Sequence, residues 1–69
     1  MYIKRIKDLR EDHDLTQTQI SKKLHISQRT YSHYEMGTRS IPIELLIELA
    51  HIYDTSVDYI LGETDRKKH

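Results

Sequence analysis

Residues suited to ending and starting helices divide this chain into short pieces. Thr16, with Gln19 three residues on, has the form of a reciprocal N-terminal cap. Ser27 and Ser56 are further N-cap candidates, Pro42 suits a first turn, and Gly37 and Gly62 can end helices in the left-handed conformation. Between these marks apolar residues recur at helical spacing in five stretches. β-Branched alternation is absent, which argues against strands. The fold class that follows is all-α.

The first helix is expected from about Ile3 to His13, with Ile6 and Leu9 on the face of Ile3. The second follows the Thr16 cap and points Ile20 and Leu24 inward. The third runs from the Ser27 cap to about Met36, the fourth from near Pro42 to near Tyr53, and the fifth from Ser56 to the residue before Gly62. The turn between the second and third, His25-Ile26-Ser27, needs one left-handed residue. His25 is the candidate, although a Cβ there costs about 1 kcal/mol relative to glycine. In the fourth helix Glu44, Glu48 and His51 form a narrow polar row and the rest is apolar. A central position for that helix is the favoured explanation. A second surface made by Ile43 and Ile47 is the alternative. Val57 and Leu61 are read as core residues that could also serve an interface.

With 69 residues there is room for one domain, expected over residues 1–65, followed by a basic tail at 66–69 that is expected to be disordered. The chain has no cysteine, so disulfides, thiolate metal sites and a Cys nucleophile are excluded. A reducing cytoplasm is compatible with this, and no apolar run is long enough for a membrane span. The five histidines show no close pair on one helix face, so no metal site is expected. No nucleophile–base unit, paired carboxylates or glycine-rich phosphate loop is evident. The expectation is therefore no catalytic residues, no cofactor and no small-molecule ligand.

The formal net charge is zero, but it is unevenly distributed. Residues 1–40 carry eight Lys/Arg against five Asp/Glu, and residues 41–65 carry six acids and no Lys or Arg. The N-terminal part can thus offer a basic face. The third helix fits that idea. Tyr31 and Tyr34 lie on one side, while Gln28, Arg29, Ser32, His33 and Met36 cover the other without an acid. Gln can pair with adenine N6/N7 and Arg with guanine O6/N7, and Ser and His can exchange hydrogen bonds with base edges or phosphates.

The segments IKDLRED, LTQTQISKKLHIS, QRTYSHYEMGTRSIP and TSVDYILG together resemble the Cro and phage-repressor type of helix-turn-helix domain, a family often named after xenobiotic response element regulators. The resemblance covers residues 6–62. It implies a compact five-helix, lambda-repressor-like fold with the helix-turn-helix at the second and third helices. It implies base contacts by Gln28, Arg29, Ser32 and His33. Backbone contacts would come from Gln17, Thr30, Thr38, Arg39 and Ser40, and Arg10 and Glu35 would form a structural ion pair. Departures from the family pattern are His25 for a common Gly, Ser21 for a common Ala, Asp54 where Gly often ends the fourth helix, and Thr55 for Val.

The resulting expectation is a cytoplasmic transcriptional regulator of bacterial or phage origin, a repressor. It would bind a double-stranded DNA operator, an inverted repeat, as a homodimer whose two recognition helices lie about 34 Å apart. The alternative is a protein-interaction module on the same fold, an antagonist, adaptor or antitoxin.

Overall fold

The computed structural model describes residues 1–67. They form five α-helices: α1 (Lys4–Asp12), α2 (Gln17–Lys23), α3 (Gln28–Met36), α4 (Ile43–Ile52) and α5 (Val57–Leu61). Among the described residues there is no strand. Among these residues no helix is long and apolar enough to cross a membrane.

Local chemistry accounts for the boundaries. Thr16 Oγ1 accepts from the Gln19 N–H at 3.1 Å while Gln19 Oε1 accepts from the Thr16 N–H at 2.8 Å, so the capping box is complete. The side chain of Ser27 caps α3 through the Thr30 N–H, and that of Ser56 caps α5 through the Tyr59 N–H. Pro42 stands one residue before α4, in extended conformation, rather than in its first turn.

All five helices end in the same way. A left-handed residue follows the last turn, and the next N–H reaches back to a carbonyl five residues earlier: Leu15 to Arg10, Ile26 to Ser21, Thr38 to His33, Thr55 to Ala50 and Glu63 to Asp58. Gly37 and Gly62 supply the left-handed residue in two cases, and Asp14, His25 and Asp54 in three. His25 is thus where the turn needed it, at φ 58°. Gly37 is required twice over, because a Cβ there would also lie 2.7 Å from the Tyr2 backbone.

The core is aliphatic with three tyrosines. Ile6 and Leu9 of α1, Ile20 and Leu24 of α2, Tyr31 and Tyr34 of α3, Leu46, Leu49 and Ala50 of α4, Tyr53 and Ile60 are buried together. The apolar surplus of α4 is divided. Leu46, Leu49 and Ala50 face inward, whereas Ile43 and Ile47 remain 55% and 44% exposed. A central helix therefore explains only part of its apolar sector. Leu61 also corrects the expectation of a simple core residue, since α5 turns Ile60 inward and leaves Leu61 41% exposed. Ser21 of α2 is buried, and its hydroxyl donates to the Thr18 carbonyl at 2.8 Å, so that hydroxyl is not left unpaired.

The C-terminal segment returns to the body. Arg5 Nη1 donates to the carbonyls of Tyr59 and Thr64, Nη2 pairs with Asp65, and the guanidinium lies over the Tyr59 ring. Thr55 Oγ1 donates to the Lys67 carbonyl, and Lys67 Nζ lies 3.7 Å from Asp12. Of the tail expected at 66–69, Lys68 and His69 lie outside the described residues.

Candidate nucleic-acid interface

The α2–turn–α3 unit sets the outward face of α3. Two tyrosines anchor the helix, Tyr31 fully buried and Tyr34 nearly so. At 100° per residue this turns Gln28, Arg29 and Met36 fully outward and leaves Ser32 and His33 half-buried at the edge of the face. The one acid of α3, Glu35, points the other way and is 5% exposed. The exposed face therefore carries no carboxylate.

Glu35 is held by α1. Arg10 Nε donates to Glu35 Oε2 at 2.9 Å and Nη2 to Oε1 at 3.0 Å, a two-pronged pair, while Nη1 donates to the Leu15 carbonyl at 2.8 Å. Burial alone would raise the pKa of Glu35. Hydrogen bonding from Arg10, supported by the neighbouring Tyr31 and Gln17, outweighs burial and holds the carboxyl below its ordinary range. The same hydrogen bond raises the pKa of Arg10. Tyr31 faces this carboxylate without full hydrogen-bond geometry, and its hydroxyl has no partner among the described residues. Burial first, and then the negative charge of Glu35, push its pKa upward. Burial likewise pushes Tyr53 up to about 12. Both phenols are therefore neutral near pH 7.

A hydrogen-bond relay leads from this pair to the surface. Gln17 Nε2 donates to Glu35 Oε1 at 3.2 Å, and Gln28 Nε2 donates to Gln17 Oε1 at 2.7 Å. The first exposed side chain of α3 is thereby oriented from the core outward. The link between Gln17 and Gln28 is absent from the sequence reading, which assigns the two residues to different roles. Eleven residues across a turn carry no signal until the helices are packed.

The remaining candidates surround the ends of α3. Thr30 is half-buried at the first turn, where its Oγ1 accepts from Ser27 Oγ at 2.9 Å. At the other end Thr38, Arg39 and Ser40 form an exposed loop. Thr38 Oγ1 lies 2.9 Å from His33 Nδ1, so this loop is joined to the outward face of the helix. Sequence reasoning missed that contact too. Among the described residues no group of three His, Cys, Asp or Glu could hold a metal ion.

Comparison with known proteins fits this architecture. Residues 6–60 match the family model described as helix-turn-helix. The chain is 45% identical over 65 residues to an uncharacterized HTH-type transcriptional regulator, YobD, of Bacillus subtilis (strain 168), a match covering 94% of this chain and 58% of that protein. It is 40% identical over 60 residues to Antitoxin PezA of Streptococcus pneumoniae, covering 87% and 38%, respectively. It is 29% identical over 65 residues to the cryptic phage CTXphi transcriptional repressor RstR of Vibrio cholerae, covering 94% and 59%. The chain thus spans roughly two-fifths to three-fifths of the length of these relatives. No solved structure matches it significantly. With the family model covering most of the chain, the two capped helices and their left-handed turn are those of the Cro/C1-type helix-turn-helix family, to which this chain belongs.

Proposed function

We propose that the chain binds double-stranded DNA sequence-specifically and regulates transcription as a repressor, by occupying an operator. In this reading α3 lies in the major groove, which admits one α-helix. Gln28, Arg29, Ser32 and His33 face base edges. Thr30, Thr38, Arg39 and Ser40 lie toward the flanking phosphates, and Gln17 joins the backbone contact while orienting Gln28. The observation that carries the reading is the acid-free outward face of α3, kept so because its one carboxylate is turned inward onto Arg10. A single recognition helix spans few base pairs, so a homodimer on an inverted repeat with half-sites about 34 Å apart is part of the proposal.

Selection from genomic fragments, followed by titration of the enriched duplex at two salt concentrations, tests it. The expected result is a short inverted repeat bound well above random duplex, with a steep salt slope. Arg29→Ala should cost about 1–3 kcal/mol of binding and relax preference at one base pair. Folded protein that enriches no duplex would overturn the reading.

A second reading, a protein-interaction module such as an antitoxin, is favoured by the exposed Ile43 and Ile47 on α4 and by the likeness to PezA. It predicts that Ile47→Asp abolishes the biological effect while duplex binding is unchanged.

A further inference from the structure

We propose that Met36 reads the C5-methyl group of a thymine and so selects one base pair in each half-site. This contact requires the proposed entry of α3 into the major groove, and it adds a specificity-determining residue to that reading.

Met36 is 57% exposed and is the only large apolar side chain that α3 turns to solvent. Its direction around the helix sets it apart. Counted from Gln28 at about 100° per residue, Ser32 falls at about 40°, Met36 at about 80°, Arg29 at about 100° and His33 at about 140°. Met36 thus lies inside the arc that the four proposed base contacts span, close to its middle. A rotation of α3 that brings both Gln28 and His33 to base edges brings Met36 there as well. Its level along the helix agrees. The Cα of Met36 stands about 4.5 Å beyond that of His33 along the axis. Long side chains on a helix lean back toward its N-terminus and cover the preceding turn. The thioether therefore belongs to the level of Ser32 and His33 rather than to the loop beyond Gly37.

The chemistry of the groove decides what it meets there. A single apolar side chain on a surface is ordinary. Inside a groove it displaces water, and a base donor or acceptor covered by it loses a hydrogen bond that a thioether does not replace. A phosphate loses more, because it is charged. The apolar group on the major-groove edges is the C5-methyl of thymine, and contact with it removes apolar surface from water on both sides. Methionine suits this task. Its unbranched, polarizable chain adapts to a methyl whose place is set by the neighbouring polar contacts. An adenine–thymine pair is then selected, with thymine on the strand that Met36 faces. Cytosine in that place lacks the methyl and offers an amino group that Met36 leaves unpaired.

Deoxyuridine differs from thymidine only by that methyl, so it isolates the contact. The enriched duplex is remade with each thymine replaced in turn, and the full chain is titrated against the set. One replacement in each half-site should weaken binding about threefold to fivefold, the worth of one buried methyl group. Met36→Ala should bind the thymine duplex at least as weakly as that and should no longer distinguish thymine from deoxyuridine. Met36→Leu should still distinguish them. Urea unfolding of both variants should match the unaltered chain, since the side chain is exposed. Deoxyuridine tolerated at every position, or a methyl effect as large in Met36→Ala as in the unaltered chain, would overturn the inference and leave the groove reading standing. Folded protein that enriches no duplex would overturn the groove reading and the methyl contact with it.

Discussion

Two arginines on α1, five residues apart, hold different parts of the chain by different physics. Arg10 reaches α3 and pairs with Glu35, the two side chains being 13% and 5% exposed. Arg5 reaches the C-terminal segment and pairs with Asp65, 26% and 96% exposed. Each also donates to backbone carbonyls. The resemblance ends at water. The carboxylate of Glu35 has given up its hydration and depends on its partners, whereas that of Asp65 remains solvated whether or not Arg5 is present. Distance and charge are nearly the same in the two pairs, so burial decides what each is worth.

The largest effect should come from Arg10→Ala. It strands a buried carboxylate, which costs about 3–5 kcal/mol. A chain of this length has roughly 3–10 kcal/mol of stability in all. Urea unfolding should therefore show most of the stability gone. The double variant Arg10→Met, Glu35→Leu sharpens the point, because replacing a buried pair by apolar residues is often nearly neutral. It should recover most of the loss in stability. It should not restore the orientation of Gln28, since Gln17 loses its acceptor. If the double variant is as unstable as Arg10→Ala, the stranded charge is not what matters and the lost hydrogen bond from Arg10 Nη1 to the Leu15 carbonyl is.

Acid should separate the pairs next. Glu35 titrates below its reference value of 4.5 in the folded chain. Its contribution is thus fully present above the unfolded pKa and is lost as pH falls through the folded one. In Arg10→Met the sign reverses. Burial then dominates, the folded pKa rises above 4.5, and protonation on acidification favours the folded state. Melting temperatures from pH 7 down to pH 3 should accordingly converge between the unaltered chain and Arg10→Met. Parallel curves would mean that Glu35 does not depend on Arg10.

The same contrast explains what the sequence discloses. Helix ends are local chemistry, so Thr16, Ser27, Ser56, Gly37 and Gly62 could be read from residue type and spacing, and His25 from the geometry its turn needs. Asp14 escaped notice because an aspartate after a helix has several uses, and its left-handed φ of 55° appears only once Leu15 packs. The outward face of α3 was legible from the 100° period. The contacts that orient it were not. Gln17 to Gln28 and His33 to Thr38 depend on how helices and loop meet. The division of α4 between core and surface likewise depends on which neighbours cover it, and helical period alone cannot place Ile43 and Ile47 outside. Arg5 had no sequence signal, since its partners lie 54 to 60 residues away.

That leaves Arg5 as the smaller of the two effects. Arg5→Ala removes two hydrogen bonds to carbonyls and a cation stacked 4.1 Å from the Tyr59 ring centroid. Water can replace part of this, so the expected cost is about 1–2 kcal/mol. The loss should be local. Amide exchange should accelerate at Gly62 and Glu63, whose N–H groups close the end of α5. It should stay unchanged at Ile26 and Thr38, which close the helix-turn-helix. Asp65→Asn is the limiting case. Its carboxylate is so exposed that stability should remain within about 0.5 kcal/mol of the unaltered chain, with any difference fading at high salt. A global acceleration in Arg5→Ala would mean that the C-terminal segment and the recognition helix unfold as one unit. The two arginines would then be halves of a single framework, with burial setting only the share that each contributes.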